Sequence, residues 1–323
     1  MISSIQIPSN IQAGMDLVEK NLMSQVDGYN PALQSEVKLL ISSGGKRIRP
    51  LIILLTNRML KGTVEQIINL ATAIEMLHTA TLVHDDLIDG AMVRRGVPTL
   101  NSKWSPAATV LTGDFLFSCA ATIAAHTGNL EVIELFSTTL TTIVNGELSQ
   151  MFTSRCNPSK EDYFNRIYAK TASLFETSSK AAAIMSGATR AQIEQLSKFG
   201  YNLGMAFQIV DDVLDYTGDQ GIFGKPIGND LRQGLVTLPM HYFIEENPDD
   251  KAVQKVLDGK CITDDVEIER IVKAVNSGNA IHKSFSEAKM FIHQAKESLV
   301  SFGQSIEKNL MLDLASFIID RNA

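Results

Sequence analysis

Apolar and polar positions along this chain recur with the period of helices. Apolar residues return three and four positions apart through long stretches, whereas alternating β-branched runs bounded by turns do not recur. Caps and breakers divide the pattern. Asn30 and Pro31 read as a cap and first turn of a helix running to about Ser42, which Gly44 and Gly45 break. Thr63 with Gln66 has the form of a capping box before a long helix to about Asp89. The segment 90–105, holding Gly96 and Pro98, is a loop. Helices over about 106–126, 130–153, 159–186 and 189–217 follow; Ser159 with Asp162, and Thr189 with Gln192, mark two of their starts. Residues 219–234 form a glycine-rich loop, and shorter helices, broken at 247–248 and 276–279, complete the chain. The expectation is an all-α protein. No linker or low-complexity segment interrupts it, so a single domain over 1–323 is expected.

Composition narrows the function. A 323-residue chain that is 45% hydrophobic can bury a large core. Its 29 basic and 36 acidic residues give a net charge of −7, which argues against a general nucleic-acid binder. Cys119, Cys156 and Cys261 are odd in number and far apart. They show no disulfide framework or zinc spacing, and a reducing, cytoplasmic compartment is expected. The first residues lack a basic region followed by a long apolar one, so no signal peptide is read there. No apolar run approaches the ~18–20 residues of a membrane span.

One acidic motif occurs twice. HDDLID at 84–89 is answered by VDDVLD at 210–215, and each Asp-Asp-x-x-Asp closes a long helical pattern. On a helix, Asp85 and Asp89 are neighbours and Asp86 reaches Asp89 from the side, while Thr81 and His78 continue the face upstream. In the second copy Gln208, Asp211, Asp212 and Asp215 form a single polar stripe. Gly200 and Gly204 lie in the same helix. Each costs about 1 kcal/mol against alanine, and close helix packing is the expected reason. Carboxylates this close repel unless protonated or neutralised. All-oxygen donors suit a hard cation, and magnesium typically takes one or two carboxylates together with waters and substrate phosphates. Two such clusters would suit magnesium bridging to a diphosphate. A lone motif would read as a solvated helix end, and the EF-hand loop pattern is missing.

Basic residues supply the other half. ISSGGKRIRP sets Lys46, Arg47 and Arg49 beside a glycine turn that opens a helix, which makes an anion site; it lacks the P-loop spacing. Taken singly, Arg94–Arg95 is a surface pair, Lys170 beside Thr171 a snorkelling lysine and Lys225 a loop lysine. Their occurrence alongside two acidic motifs carries the argument.

In chain order, GGKRIRP, LVHDDLIDGAMVRRGVPT, TGDFLF, YAKTASLFE, GMAFQIVDDVLDYTGD and FGKPIGNDLRQGLVTLP resemble the trans-isoprenyl diphosphate synthases, or polyprenyl synthetases. The resemblance runs from about residue 44 to 239. It implies a bundle of long antiparallel helices around a deep central cavity, usually a homodimer, that joins isopentenyl diphosphate to an allylic diphosphate such as farnesyl diphosphate. It implies that Asp85, Asp86 and Asp89 hold magnesium on the allylic diphosphate. Asp211, with Asp215, would hold another ion, with three ions in all when substrate is bound. Arg94, Lys170, Gln208 and Lys225, with Thr171 beside them, would contact the allylic substrate. Lys46, Arg49, His78 and Arg95 would hold isopentenyl diphosphate. Asp85, Asp86, Asp89, Lys170 and Asp211 are then the catalytic set, and Phe207 helps exclude water. One departure is Leu235, where the family often has lysine; Arg232 is the candidate substitute.

In the family, bulky aromatics four or five residues before the first aspartate give short products. Here those positions are Thr81 and Ala80. From Ile74 to Asp85 a helix rises ~16 Å, without a Phe, Tyr or Trp. The expected product is longer than fifteen carbons, with Ile74, Leu77 or Ile143 as the tunnel floor. The alternatives are a short-chain farnesyl or geranylgeranyl diphosphate synthase, the catalytic subunit of a heteromeric synthase, and a class I terpene cyclase. GGKRIRP and the second intact acidic motif argue against the cyclase.

Overall fold

The computed structural model describes residues 7–63, 65–94, 96–152, 156, 159–218 and 227–320. The chain forms two compact units. One comprises residues 1–138, 177–197 and 301–313, and the other 139–176, 198–300 and 314–323.

In the first unit, α1 (Ser9–Ser24), α2 (Pro31–Ser42), α3 (Ile48–Met59) and α4 (Glu65–Ile88) precede a hairpin of β1 (Val93–Arg94) and β2 (Val97–Pro98). The short α5 (Leu100–Lys103) and the long α6 (Pro106–Ala125) follow. Helix α4 is the spine and packs against α1, α3 and α6. Ile67, Leu70, Ala73, Ile74, Met76 and Leu77 are all buried on it, so it is apolar nearly all round, as a core helix must be. Each such large side chain contributes about 1.5–3 kcal/mol by leaving water. Helix α6 approaches closely because residue 113 is glycine; a Cβ there would run into the His84 ring.

The pattern reading is met for α2, whose start is capped by the Asn30 side chain accepting from Ala32 N. It missed α1. The buried stripe Ile11, Gly14, Val18 and Leu22 has helical spacing, but Pro8 precedes it and no side chain caps it. The loop expected over 90–105 contains the hairpin and α5, the latter capped by Thr99. Two-residue strands are too short to register as alternation. Helix α6 also corrects the reading that no segment is long and apolar enough to span a membrane, since its mean hydropathy is 1.5 over a window of sufficient length. Thr109, Thr112, Leu116, Ala120 and Ile123 are buried and the helix packs on α4, as a core helix does.

Helix α7 (Leu130–Phe152) leads into α8 (Lys160–Ile167), a π-helical turn (Tyr168–Ala172), α9 (Ser173–Met185) and α10 (Arg190–Thr217). Then come α11 (Asn229–Arg232), α12 (Leu238–Glu246), α13 (Lys251–Leu257), α14 (Asp265–Ser277), α15 (Ala280–Ser298) and α16 (Ile306–Asp320). In the second unit α12 packs on α15 and α8. The helix expected over 159–186 is therefore interrupted by the π turn. Gly204 serves the close packing expected of it, because a Cβ there would lie 2.5 Å from the Ala172 Cα. Cys156 and Cys261 form a disulfide, with Cα atoms 5.3 Å apart, which overturns the reading that no disulfide is present. Their 105-residue separation hides the pairing from any spacing rule. Gly234, at φ +76°, lies against both sulfurs.

Candidate active site

In the first unit, one face of α4 opens on a small cleft. Its walls are Leu39 and Leu40 of α2, Gly44 and Arg47 of the following turn, and Val97 to Leu100 beyond the hairpin bend. Glu75, His78, Thr79, Leu82 and Asp86 of α4 line it, a stripe at helical spacing, and Arg94 closes it. The fold thus brings together His78, Asp86 and Arg94, three residues singled out from the sequence. His78 shares this cleft with Asp86 rather than with Asp85, which is not in its lining. Lys46 and Arg49 flank Arg47 in the turn and α3 start and are half-buried. Arg95 lies outside the described residues.

Asp86 is 4% exposed. A buried carboxylate needs a partner, and Arg94 Nε donates to its Oδ1 at 2.7 Å. Asp85 is half-buried and Asp89 exposed, just at and beyond the C-terminal end of α4. That end carries the negative pole of the helix dipole. Dipole and mutual repulsion both disfavour three carboxylates here, so the site favours cations.

The sequence reading places Arg47 in the anion site with Lys46 and Arg49; the structure corrects it, since its guanidinium is taken up by protein acceptors. Arg47 holds a left-handed backbone, φ 46° and ψ 35°, at the start of α3, which costs a non-glycine residue roughly 1–2 kcal/mol. Its guanidinium donates to Glu19 Oε1 at 2.6 Å and Oε2 at 3.3 Å, to Glu75 Oε1 at 2.8 Å and to the Ile41 carbonyl at 2.7 Å. Burial alone would lower its pKa; the bonds to Glu19 and the charge of Glu75 outweigh it and raise the value. Glu75, a single acid within an apolar stretch of α4, was the signal in the sequence that could have found this cluster.

In the second unit, the site gathers around α10 and the π turn, a distortion often found at functional sites. Lys170 Nζ donates to Glu147 Oε1 at 2.9 Å. The Thr171 hydroxyl donates to Gln208 Oε1 at 2.6 Å, and Gln208 Nε2 to Asp212 Oδ1 at 2.8 Å. Tyr163 OH donates to Asp212 Oδ2 at 2.7 Å. Burial, then the charge of Asp230, push the Asp212 carboxyl up to about 8. Asp212 thus serves as an anchor that fixes the Gln208 amide. Asp215 accepts from the backbone of Asn229 at 3.2 Å and of Asp230 at 3.0 Å, one on each oxygen. Asp211 is half-buried on the same helix. Phe207 packs against Phe175 in a tilted pair, ring centroids 5.3 Å apart. Arg232 pairs with Asp265 and so is already engaged, which counts against it as the substitute for a lysine at Leu235. Lys225 lies outside the described residues.

Of the positions expected to set product length, Ile74, Leu77 and Ala80 are fully buried, at 0% exposure. Thr81 is half-buried and donates to the His78 carbonyl at 2.8 Å. Ile143 is buried in the second unit.

Among the described residues, no three His, Cys, Asp or Glu groups converge as a ready-made metal cage. Magnesium does not need one, since it keeps several waters and takes one or two carboxylates beside substrate phosphates. The donors fit it, since all are carboxylate oxygens, the hard ligands magnesium takes. Each unit therefore offers carboxylates at or near a helix end with cationic side chains nearby, chemistry suited to a polyanion held partly through metal.

The model of a family described as polyprenyl synthetase matches residues 30–275. Among curated relatives, heptaprenyl diphosphate synthase component 2 of Geobacillus stearothermophilus is 35% identical over 307 residues, covering 94% of this chain and 95% of its own. Octaprenyl diphosphate synthase of Haemophilus influenzae is 32% identical over 326 residues, covering 100% and 98%. A polyprenyl synthase from Caulobacter crescentus CB15, solved with calcium and isoprenyl diphosphate, superposes with a TM-score of 0.90 at 32% identity, covering 97% of this chain and 96% of its own.

Proposed function

The chain belongs to the polyprenyl synthetase family, and from that premise we propose how its residues make an all-trans polyprenyl diphosphate longer than fifteen carbons. The observation that carries the proposal is the repeated acidic motif at the ends of α4 and α10, each beside cationic and amide side chains that a diphosphate requires. The family match spans segments of both units, which supports one synthase domain.

Lys46, Arg49, His78 and Arg95 hold the diphosphate of isopentenyl diphosphate. Arg94, Lys170, Thr171, Gln208 and Lys225 hold the allylic diphosphate. Asp85, Asp86, Asp89, Asp211 and Asp215 would hold magnesium, three ions with substrate bound, which supplies positive charge as diphosphate departs. The allylic C–O bond breaks and diphosphate leaves with the electron pair. The double bond of isopentenyl diphosphate attacks the carbocation, and a proton is lost beside the new bond to departed diphosphate. The basic side chains stabilise the leaving charge, and Phe207 with its apolar neighbours keeps water from the cation. Small residues at 80 and 81 leave room for the tail. Homodimer assembly belongs to the same proposal, supported by exposed Val110 and Leu111 on α6; the cytoplasmic expectation loses its support from the cysteines, since Cys156 and Cys261 are bridged.

Purified chain, magnesium, geranyl diphosphate and labelled isopentenyl diphosphate test it. A labelled product longer than farnesyl diphosphate is expected; farnesyl diphosphate as the end product refutes the long-tail reading. Asp85→Ala or Asp211→Ala is expected to cost about a thousandfold in rate, equivalent to ~4 kcal/mol, with the fold kept. A near-normal rate in either refutes the mechanism. The relative described as a component favours a second reading, a catalytic subunit that needs a partner. Inactivity of the well-folded chain by itself would support that reading.

A further inference from the structure

We infer that Arg47 is a positioning residue for the isopentenyl diphosphate subsite: its guanidinium holds the turn carrying Lys46 and Arg49 in register with the helix carrying His78. The inference rests on the proposed roles of those three residues. Three observations carry it.

The first is where Arg47 reaches. Its partners come from α1 (Glu19), the last turn of α2 (the Ile41 carbonyl) and α4 (Glu75). Glu75 lies three residues before His78 on α4, and both line the cleft. A single side chain thus ties the glycine turn to the helix face on which substrate is proposed to sit.

The second is that Arg47 is a poor anion ligand as it stands. Four hydrogen bonds from its guanidinium serve two carboxylates and one carbonyl, and its single positive charge faces two negative ones. A diphosphate would gain little from a cation so compensated, whereas the neighbours at 46 and 49 are cationic residues on either side of this fixed point.

The third is the backbone. Arg47 sits at φ 46°, a conformation L side chains rarely adopt. The four side-chain contacts are what oppose its relaxation. Were it to relax, the chain would enter α3 along a different path, and Lys46 and Arg49 would shift together.

Steady-state kinetics with each substrate varied separately test this, on chains whose circular dichroism and melting match the parent. Misplacing a binding group by about 1 Å can cost as much as a hundredfold. Arg47→Lys and Glu75→Gln are therefore expected to raise KM for isopentenyl diphosphate on the order of tenfold or more, with kcat and the allylic KM within about twofold. Glu19→Gln, at the more exposed end of the cluster, keeps the arginine and is expected to give a smaller rise in the same constant. It keeps the inference testable if Arg47→Lys does not fold. The double variant R47K/E75Q is expected to lose less than the product of the single effects. An unchanged KM for isopentenyl diphosphate, or equal rises for both substrates, overturns the inference. Lys46→Ala separates the two levels. If it leaves that KM unchanged, the assignment of the subsite itself fails. If it raises KM while Arg47→Lys and Glu19→Gln do not, only the positioning role fails.

Discussion

Gly204→Ala sets two measurable effects against each other. Gly204 lies within α10, where alanine is a better helix former by about 1 kcal/mol. On an unobstructed face the substitution would stabilise the protein. Here the added Cβ would stand 2.5 Å from the Ala172 Cα, 2.9 Å from its Cβ and 3.0 Å from the Phe175 Cβ. None of these atoms is the free end of a flexible side chain, so relief requires the π turn and the start of α9 to shift as a body. Overpacking of this kind costs roughly 1–3 kcal/mol, and contact with backbone places it at the upper end. The net expectation is a loss of about 1–2 kcal/mol. Thr171, within that turn, would draw away from Gln208, so the allylic KM should rise as well. Urea unfolding followed by circular dichroism reads the first effect and steady-state kinetics the second. Gly303→Ala is the control, since nothing lies within 4 Å of a Cβ there and φ is not positive; it should be neutral or slightly stabilising. Gly204→Ala unfolding at or above the parent midpoint, with an unchanged allylic KM, would refute the reasoning.

Thr81→Phe should shorten the product, by blocking the aspartate face of α4 one turn before Asp85; an unchanged product length in the chromatographic assay counts against the tail running there. His241 is buried, and burial followed by the charges of Arg166 and Lys160 lowers its pKa from 6.5 to about 4. The unfolded chain then binds more protons than the folded one between those values. Stability is therefore retained above about pH 6.5 and lost as pH falls toward 4, by up to ~1.4 kcal/mol per pH unit. Urea midpoints at pH 7 and pH 5 should differ less for His241→Gln than for the parent, and equal differences would refute this. The Cys156–Cys261 bridge closes a separation of 105 residues, for which chain entropy allows as much as about 4.7 kcal/mol. Cys156→Ser should lower the unfolding midpoint, and thiol titration of the denatured, unreduced parent should find one free thiol, Cys119. Three thiols would show the bridge absent.

Local rules sufficed where one stretch of chain determined the outcome. The helix over 31–42 needs only its own cap and periodicity, and the long helices of α4, α6, α7 and α10 end within about two residues of the expected positions. The acidic stripes are legible for the same reason, since helix geometry alone sets which aspartates are neighbours. The π turn at 168–172 was not legible, because no propensity distinguishes it from the helix around it. The disulfide and the partners of Arg47 were missed for a common cause. Cys156 depends on Cys261, and Arg47 on Glu19, Ile41 and Glu75, so the partners lie on separate elements and no spacing rule couples them.

By itself, then, the amino-acid sequence determined the helical class, most helix limits, the repeated acidic motif and the family. Those follow from backbone periodicity, capping and short-range side-chain order. Tertiary structure alone decided which of the charged residues are committed to one another: Asp86 to Arg94, Asp212 to Tyr163 and Gln208, Asp215 to the amides of α11, and Arg47 to two glutamates. The physical reason is desolvation. A buried charge must find a partner, and which partner is within reach is settled only when distant segments pack together.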